Sequence, residues 1–160
     1  MKHSRLFLFL TFISFVGLSR FLNAQFTGKQ SDWKGFKKTV FKVGEYEAFV
    51  VQPKEPAKDK PWVWRARFPT YHTEIDEMLL RDGYHVAHVN AGRRLGSPNA
   101  LKIWEQFYNL LTNKHGFNKK VVLEGVSRGG LYVYRWAKAY PETVACMYND
   151  TPVCDFKSWP

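Results

Sequence analysis

The chain has 160 residues, of which 24 are Lys or Arg and 14 are Asp or Glu, which gives a formal net charge of +10 at pH 7. A hydrophobic share of 45% and an aromatic share of 17% argue against a disordered chain and are sufficient for one folded core. The two cysteines, Cys146 and Cys154, lack the spacing of a metal site. A disulfide between them and two unpaired thiols are both compatible with the sequence.

Residues 1–24 have the pattern of an export signal. A positively charged start with Lys2 and Arg5 precedes an apolar run from Leu6 to Leu18, and Ala24 offers a small residue for cleavage. This run is shorter than the roughly 20 residues that a membrane-spanning helix needs. We therefore expect a secreted or periplasmic protein without a membrane span in its mature form. An uncleaved membrane anchor is the alternative.

The first structured elements are predicted to be β-strands. Residues 25–36 are polar and contain glycine, which predicts a flexible lead-in to a domain over residues 37–160. Thr39 to Val43 and Tyr46 to Gln52 are rich in β-forming residues and predict a hairpin. After a charged loop bounded by prolines, Trp62-Val63-Trp64 predicts a short buried strand.

A helix is predicted next. Thr73 and Asp76 have the spacing of a capping box, in which two side chains satisfy the free N–H groups of the first turn. The spacing of Ile75, Met78 and Leu79 places these three on one face of this helix.

Strands and helices alternate over the rest of the chain. Ser97 followed by Pro98 predicts the start of a second helix, and Val121 to Leu123 is apolar throughout, as in strands that are buried on both faces. The other predicted elements are strands over residues 84–90 and 143–148 and a helix over residues 129–140. This order predicts an α/β fold: a mostly parallel sheet with an antiparallel N-terminal hairpin and helices on both faces. Catalytic groups in such sheets lie at the carboxyl ends of the strands.

A G-x-S-x-G pattern, Gly125-Val126-Ser127-Arg128-Gly129, lies between the apolar strand and the last helix. In this pattern the serine occupies a sharp strand-to-helix turn, and its hydroxyl projects above the sheet. We therefore predict Ser127 as a nucleophile. A glycine-rich turn with a serine that caps the helix is the alternative.

Two oxyanion donors are expected near Ser127. The Arg128 N–H lies at the positive end of the predicted helix and is the first candidate. The second should come from the loop after the Trp62–Trp64 strand, where Arg65 or Ala66 is the expected backbone donor.

Two further residues of the same region are expected to contact substrate. These are Arg67, whose guanidinium can bind a carboxylate with two hydrogen bonds, and His72. Ion pairs with Glu74 or Asp76 are the alternative for the arginines of this loop.

Together these features resemble the α/β-hydrolase superfamily. The resemblance is carried by Trp62 to His72, by Leu123 to Tyr134 and by Pro152 to Pro160, which look like secreted bacterial hydrolases of prolyl-oligopeptidase or carbohydrate-esterase type. It implies an incomplete α/β-hydrolase fold and a serine hydrolase that acts through an acyl-enzyme. The expected substrate is a carboxylic ester, either a small molecule or an ester carried by a saccharide, and no metal or organic cofactor is implied.

The sequence departs from the superfamily in one respect. The superfamily places an acid and then a histidine after the serine. Asp150 and Asp155 are candidate acids, but all the histidines precede Ser127; they are His3, His72, His85, His88 and His115. The sequence therefore predicts an N-terminal fragment that is inactive by itself.

Two other functions remain open at this point. One is a serine peptidase of prolyl-oligopeptidase type. The other is a non-catalytic module that binds an acidic glycan through its basic residues. Nucleic-acid binding is not expected, because the chain has an export pattern and no nucleic-acid-binding motif.

Overall fold

The structure is a computed structural model that describes residues 25–155 and 157. Its seven strands form one sheet in the order β1-β2-β3-β5-β4-β6-β7. The strands are β1 (Lys29–Trp33), β2 (Phe36–Val43), β3 (Tyr46–Gln52), β4 (Trp62–Arg65), β5 (His85–Val89), β6 (Val121–Val126) and β7 (Val144–Asp150). Strand β2 pairs antiparallel with β1 and β3, and β3 pairs antiparallel with β5, whereas β5, β4, β6 and β7 are parallel. This confirms the predicted α/β fold with its antiparallel N-terminal hairpin.

Three α-helices connect the parallel strands. They are α1 (Glu74–Arg81), α2 (Pro98–Asn109) and α3 (Gly129–Ala139). The predicted cap of α2 is present, because the Ser97 hydroxyl accepts a hydrogen bond from the Ala100 N–H. The predicted export signal lies outside the described residues, and no helix within residues 25–155 is both long and apolar enough to cross a membrane.

The alternation of side chains along β4 divides the core into two layers. Trp62 and Trp64 belong to the layer that α2 and α3 cover. Val63 points the other way and belongs to the layer that contains Leu80 of α1. Helices therefore lie on both faces of the sheet, as predicted.

The larger layer is built around Trp64, which is fully buried. Its ring centroid lies 4.1 Å from that of Trp104 in α2, 4.9 Å from that of Trp136 in α3 and 5.4 Å from that of Trp62. Aromatic pairs at such separations add to the free energy gained from burying the rings. Trp64 therefore joins both helices to the centre of the sheet.

The flexible lead-in predicted over residues 25–36 is not what the structure has. Lys29 to Trp33 form β1, which pairs with β2 from Lys29 opposite Val40 to Trp33 opposite Phe36. The side chains of β1 are mostly exposed. This edge strand is held by backbone hydrogen bonds, so hydrophobic periodicity gives no sign of it.

The face of α1 that carries Ile75 and Met78 is not its buried face. Met78 is 60% exposed and Ile75 is 37% exposed, whereas Asp76 and Leu80 are buried. The Thr73 side chain makes no capping hydrogen bond. The buried side of α1 therefore combines an apolar side chain, Leu80, with Asp76, which contacts the buried Arg65.

The two cysteines do not form a disulfide. Cys146 lies in β7 and Cys154 follows it, and both are exposed free thiols.

We expect the substitution Trp64→Ala to lower the free energy of unfolding by about 3–5 kcal/mol, because the cavity would remove ring contacts with both helices. Guanidinium unfolding followed by circular dichroism measures this. Met78→Ala, at a side chain that is 60% exposed, is the control and should change stability by less than about 0.5 kcal/mol. Equal losses in the two variants would contradict this description of the core.

Candidate active site

The turn between β6 and α3 holds Ser127 in an uncommon backbone conformation. Its φ angle is +48°, in the left-handed region that residues other than glycine seldom adopt. The Ser127 N–H donates to the Asp150 carbonyl at 3.0 Å, and the Ser127 carbonyl accepts from the N–H groups of Gly130 at 3.0 Å and Val153 at 2.8 Å. The turn is therefore fixed on one side by its own helix and on the other by β7 and the segment after it.

Close packing around this turn explains two of its glycines. A Cβ atom on Gly125 would lie 2.7 Å from Val133 Cγ2, and one on Gly130 would lie 2.6 Å from the Val153 carbonyl oxygen. A Cβ atom on Gly129 would meet nothing closer than Ala66 Cβ at 3.5 Å. Gly125 and Gly130 are therefore needed for close packing, whereas the last glycine of the G-x-S-x-G pattern has room for a methyl group.

Ser127 lines a cavity of about 560 Å³ at the carboxyl ends of β6 and β7. The residues around it come from the loop after β4, from the turn and from the end of β7; they are Phe68, Tyr71, His72, Val126, Ser127, Asp150 and Thr151. Three residues singled out in the sequence, Ser127, His72 and Asp150, thus line one cavity. Tyr71 and Thr151 also line it, and they were missed because neither belongs to a recognisable motif.

His72 is at the open side of this cavity. Its side chain is 57% exposed, and its Nδ1 atom lies 3.8 Å from Glu74 Oε2. Its ring stands edge-on to that of Tyr71, with 4.0 Å between the centroids. The two rings therefore offer an accessible aromatic wall. Asp155, the other candidate acid, is exposed.

The prediction that Arg65 or Ala66 supplies the second backbone oxyanion donor is not supported by the structure of the loop after β4. The Ala66 N–H donates to the Glu124 carbonyl at 2.9 Å, so it is already used within the sheet, and Arg65 lies inside β4 opposite Glu124. The next nitrogen along the chain, that of Arg67, lies 3.6 Å from the position of a Cβ atom on Gly129. The Arg67 N–H is therefore the loop nitrogen found beside the first turn of α3.

The Arg65 side chain is 1% exposed and contacts the loop that follows β4. Its guanidinium contacts Asp76 and lies 3.1 Å from Glu124 Oε1. Its remaining hydrogen bonds go to the carbonyl oxygens of the loop. They run from Nε to Phe68 at 3.3 Å, from Nη1 to His72 at 3.4 Å, and from Nη2 to Tyr71.

The ion pair that the sequence allowed between Arg65 and Asp76 is therefore present. Glu124, one residue before the G-x-S-x-G pattern, completes this buried cluster. Burial raises the pKa of Glu124 to about 8.

Arg67 points away from the Ser127 cavity. Its side chain lines a second cavity of about 410 Å³ together with Lys38, Glu47 and His88, and its Nη1 atom donates to the Gly92 carbonyl at 2.5 Å. Phe68 lines both cavities. The guanidinium carbons of Arg67 and Arg128 lie 5.6 Å and 5.5 Å from the Phe68 ring centroid, so this ring separates the two spaces.

No metal site is found among residues 25–155 and 157, because they contain no group of three His, Cys, Asp or Glu side chains placed to hold an ion.

Comparison with known proteins identifies the fold. No protein-family model matches the chain, and no curated protein matches it. Solved structures do match. MGS-M1, an α/β-hydrolase enzyme from a Medee basin deep-sea metagenome library, shares 14% identity at a TM-score of 0.59 over 79% of this chain and 62% of its own.

Two further structures give the same result. The acetyl xylan esterase from Aspergillus awamori shares 15% identity at a TM-score of 0.54, over 69% of this chain and 50% of its own. The dienelactone hydrolase from Anabaena variabilis shares 18% identity at a TM-score of 0.54, over 73% of this chain and 63% of its own. The chain therefore has the α/β-hydrolase fold, and it spans less than two-thirds of the length of each of these structures.

The glycines of the turn give a testable difference. We expect Gly130→Ala to lower the free energy of unfolding by about 1–3 kcal/mol, because the new methyl group would push the Pro152–Val153 segment away from the turn. Gly129→Ala should be close to neutral, since its methyl group has ordinary contact distances. Thermal unfolding of the two variants measures the difference. A Gly129→Ala variant that is as unstable as Gly130→Ala would contradict the packing described above.

Proposed function

We propose that this protein is a serine hydrolase that cleaves a carboxylic ester through an acyl-enzyme, with Ser127 as the nucleophile. The observation that carries the proposal is the strained turn at Ser127, which opens onto a cavity at the carboxyl end of a central parallel strand. Active sites of open α/β sheets occupy this position. The α/β-hydrolase fold and the G-x-S-x-G pattern support the same chemistry.

The proposed reaction has two stages. The Ser127 oxygen bonds to the ester carbonyl carbon while its proton passes to a general base, and the carbonyl oxygen becomes an oxyanion. Collapse of this intermediate breaks the bond to the alcohol oxygen, which takes up the proton and leaves. Water then attacks the acyl-enzyme, releasing the carboxylic acid and restoring the Ser127 hydroxyl.

Two backbone groups are proposed to stabilise the oxyanion. Arg128 lies at the N-terminal end of α3, where the helix dipole favours negative charge. The Arg67 N–H replaces the predicted Arg65 and Ala66, since it lies beside the same end of α3. Backbone N–H donors held in a rigid framework are effective because they need no reorganisation as charge develops.

We propose a saccharide ester as the substrate class. The wall formed by Tyr71 and His72 is exposed and aromatic, a surface suited to stacking against a sugar ring, and Tyr71 is 54% exposed. The cavity beyond Phe68, lined by Lys38 and Arg67, could receive the rest of an acidic saccharide. An acetyl xylan esterase with a similar fold supports an ester substrate, and a peptidase remains the competing activity.

We expect the protein in its native full-length form to be labelled covalently by a fluorophosphonate probe, because an activated serine attacks the phosphorus. Mass spectrometry of the labelled protein should place the adduct on Ser127, and Ser127→Ala should abolish labelling. Ser31→Ala, at an exposed serine of β1, is the control and should label like the native protein.

Two outcomes would contradict the proposal: no labelling of the native protein, or labelling that persists in Ser127→Ala. Assays of a saccharide acetyl ester and of a peptide amide, run in parallel, then separate the two activities. We expect turnover of the ester only, and preferential turnover of a peptide amide would favour the peptidase.

A further inference from the structure

The buried cluster beneath the loop contains one cation and two carboxyl groups. Arg65 of β4, Asp76 of α1 and Glu124 of β6 are each no more than 2% exposed. Both carboxyl groups face the same guanidinium nitrogen, Nη1 of Arg65. If both were ionised, an uncompensated negative charge would be buried, which is strongly unfavourable in a protein interior.

The cluster also has more buried hydrogen-bond acceptors than donors. Each carboxyl group uses one oxygen for Arg65, and each has a second oxygen, Asp76 Oδ1 and Glu124 Oε2, that is buried without a hydrogen-bond donor among the described residues. Buried polar atoms are nearly always hydrogen-bonded. Two carboxyl oxygens can satisfy each other only if a proton lies between them, as in acid pairs that share one proton.

We propose that Asp76 and Glu124 share one proton, and that this acid pair fastens α1 and the segment 68–72 to the sheet, so that the wall of the Ser127 cavity depends on the proton. Asp76 and Glu124 are then positioning residues that act through Arg65. This inference deepens the proposed function, on which its relevance to catalysis rests.

The surroundings of Glu124 favour the protonated pair. Burial, followed by the charge of Asp76, raises the pKa of Glu124 to about 8, and Asp150 of β7 contributes in the same direction against the opposing charge of Arg65. Burial lowers the pKa of His88, which contacts the Arg65 carbonyl, to about 4. His88 is therefore neutral over the range in which the pair loses its proton.

The surroundings of Asp76 act in the same direction. Burial raises the pKa of Asp76, and the neighbouring charge of Glu77 adds to this, while the charge of Arg65 and hydrogen bonds to Arg65 and Glu124 oppose it. A carboxyl group with a raised pKa in the folded state contributes stability that is complete below its unfolded pKa. That contribution is lost as the pH rises towards its folded pKa. The cluster should thus weaken between the ordinary pKa of a glutamic acid and about 8.

The element free to respond is α1. Glu124 is fixed in β6, which is paired with a strand on each side. In contrast, α1 is a short helix that lies on one face of the sheet. Repulsion between two carboxylates is therefore relieved by movement of Asp76. The segment 68–72 moves with it, because Arg65 holds the loop and α1 together.

Hydrogen exchange of backbone amides tests this without requiring activity. The Tyr71 N–H, which donates to the Phe68 carbonyl, reports on the loop. Its protection factor in the native protein should fall about tenfold or more between about pH 6 and about pH 9. The Asn118 N–H, bonded to the Lys60 carbonyl beyond the opposite end of β4, should keep its protection.

Glu124→Gln is the decisive variant, because a glutamine amide would donate a hydrogen bond to Asp76 at every pH. In this variant the Tyr71 N–H should keep the same protection factor as the pH rises. Asp76→Asn should also abolish the pH-dependent loss of protection at Tyr71, and it replaces Glu124→Gln in the test if that variant does not fold. Glu45→Gln, at an exposed turn, is the matched control and should show the native fall. The proposal would be overturned if the native protein showed no loss of protection at Tyr71 as the pH rises. It would also be overturned if both cluster variants lost as much protection as the native protein.

The variant Ser127→Ala separates this inference from the proposed function. It should retain the pH response at Tyr71 whether or not Ser127 reacts with the probe. A pH response without labelling would leave the acid pair standing and remove the hydrolase.

Discussion

A buried guanidinium determines much of the architecture around the candidate site. Arg65 carries five N–H donors on a cationic side chain, so its surroundings must supply acceptors from several directions. They come from α1, from β6 and from the carbonyl oxygens of the segment 68–72. Removing a partner from such a group leaves a buried charge at a cost of about 3–5 kcal/mol. The position of α1 over the sheet and the path of the loop are therefore linked through one side chain.

The opposite wall of the cavity is fixed by backbone contacts. Ser127 is held by the Asp150 carbonyl and the Val153 N–H, and the chain approaches so closely that Gly130 has no space for a side chain. These contacts are backbone hydrogen bonds and close packing, and they do not involve the Asp76 or Glu124 side chains. The cavity thus has one wall that the proposed shared proton would hold and another that backbone contacts hold.

The sequence predicted the parts of this arrangement that depend on local chemistry. Ser97 with Pro98 marked the start of α2, and the apolar run before Gly125 marked β6, because capping and burial leave a local pattern. The strand β1 was missed, since an edge strand needs only backbone partners. Asp76 was assigned to capping, and only the fold reveals that it faces a buried arginine. The prediction of Ala66 as an oxyanion donor was also wrong, because only the fold shows that its N–H is bonded to a carbonyl in β6.

The register of two strands connects the apolar core to the polar cluster. Trp64 lies opposite Leu123, and Arg65 lies opposite Glu124. Trp64 and Leu123 face the layer under α2 and α3, so the next residues must face α1. A slip of one residue would separate Arg65 from Glu124 and turn Trp64 towards the smaller layer under α1. The hydrophobic effect thus selects the register, and the register brings Arg65 to Glu124, three residues before Ser127.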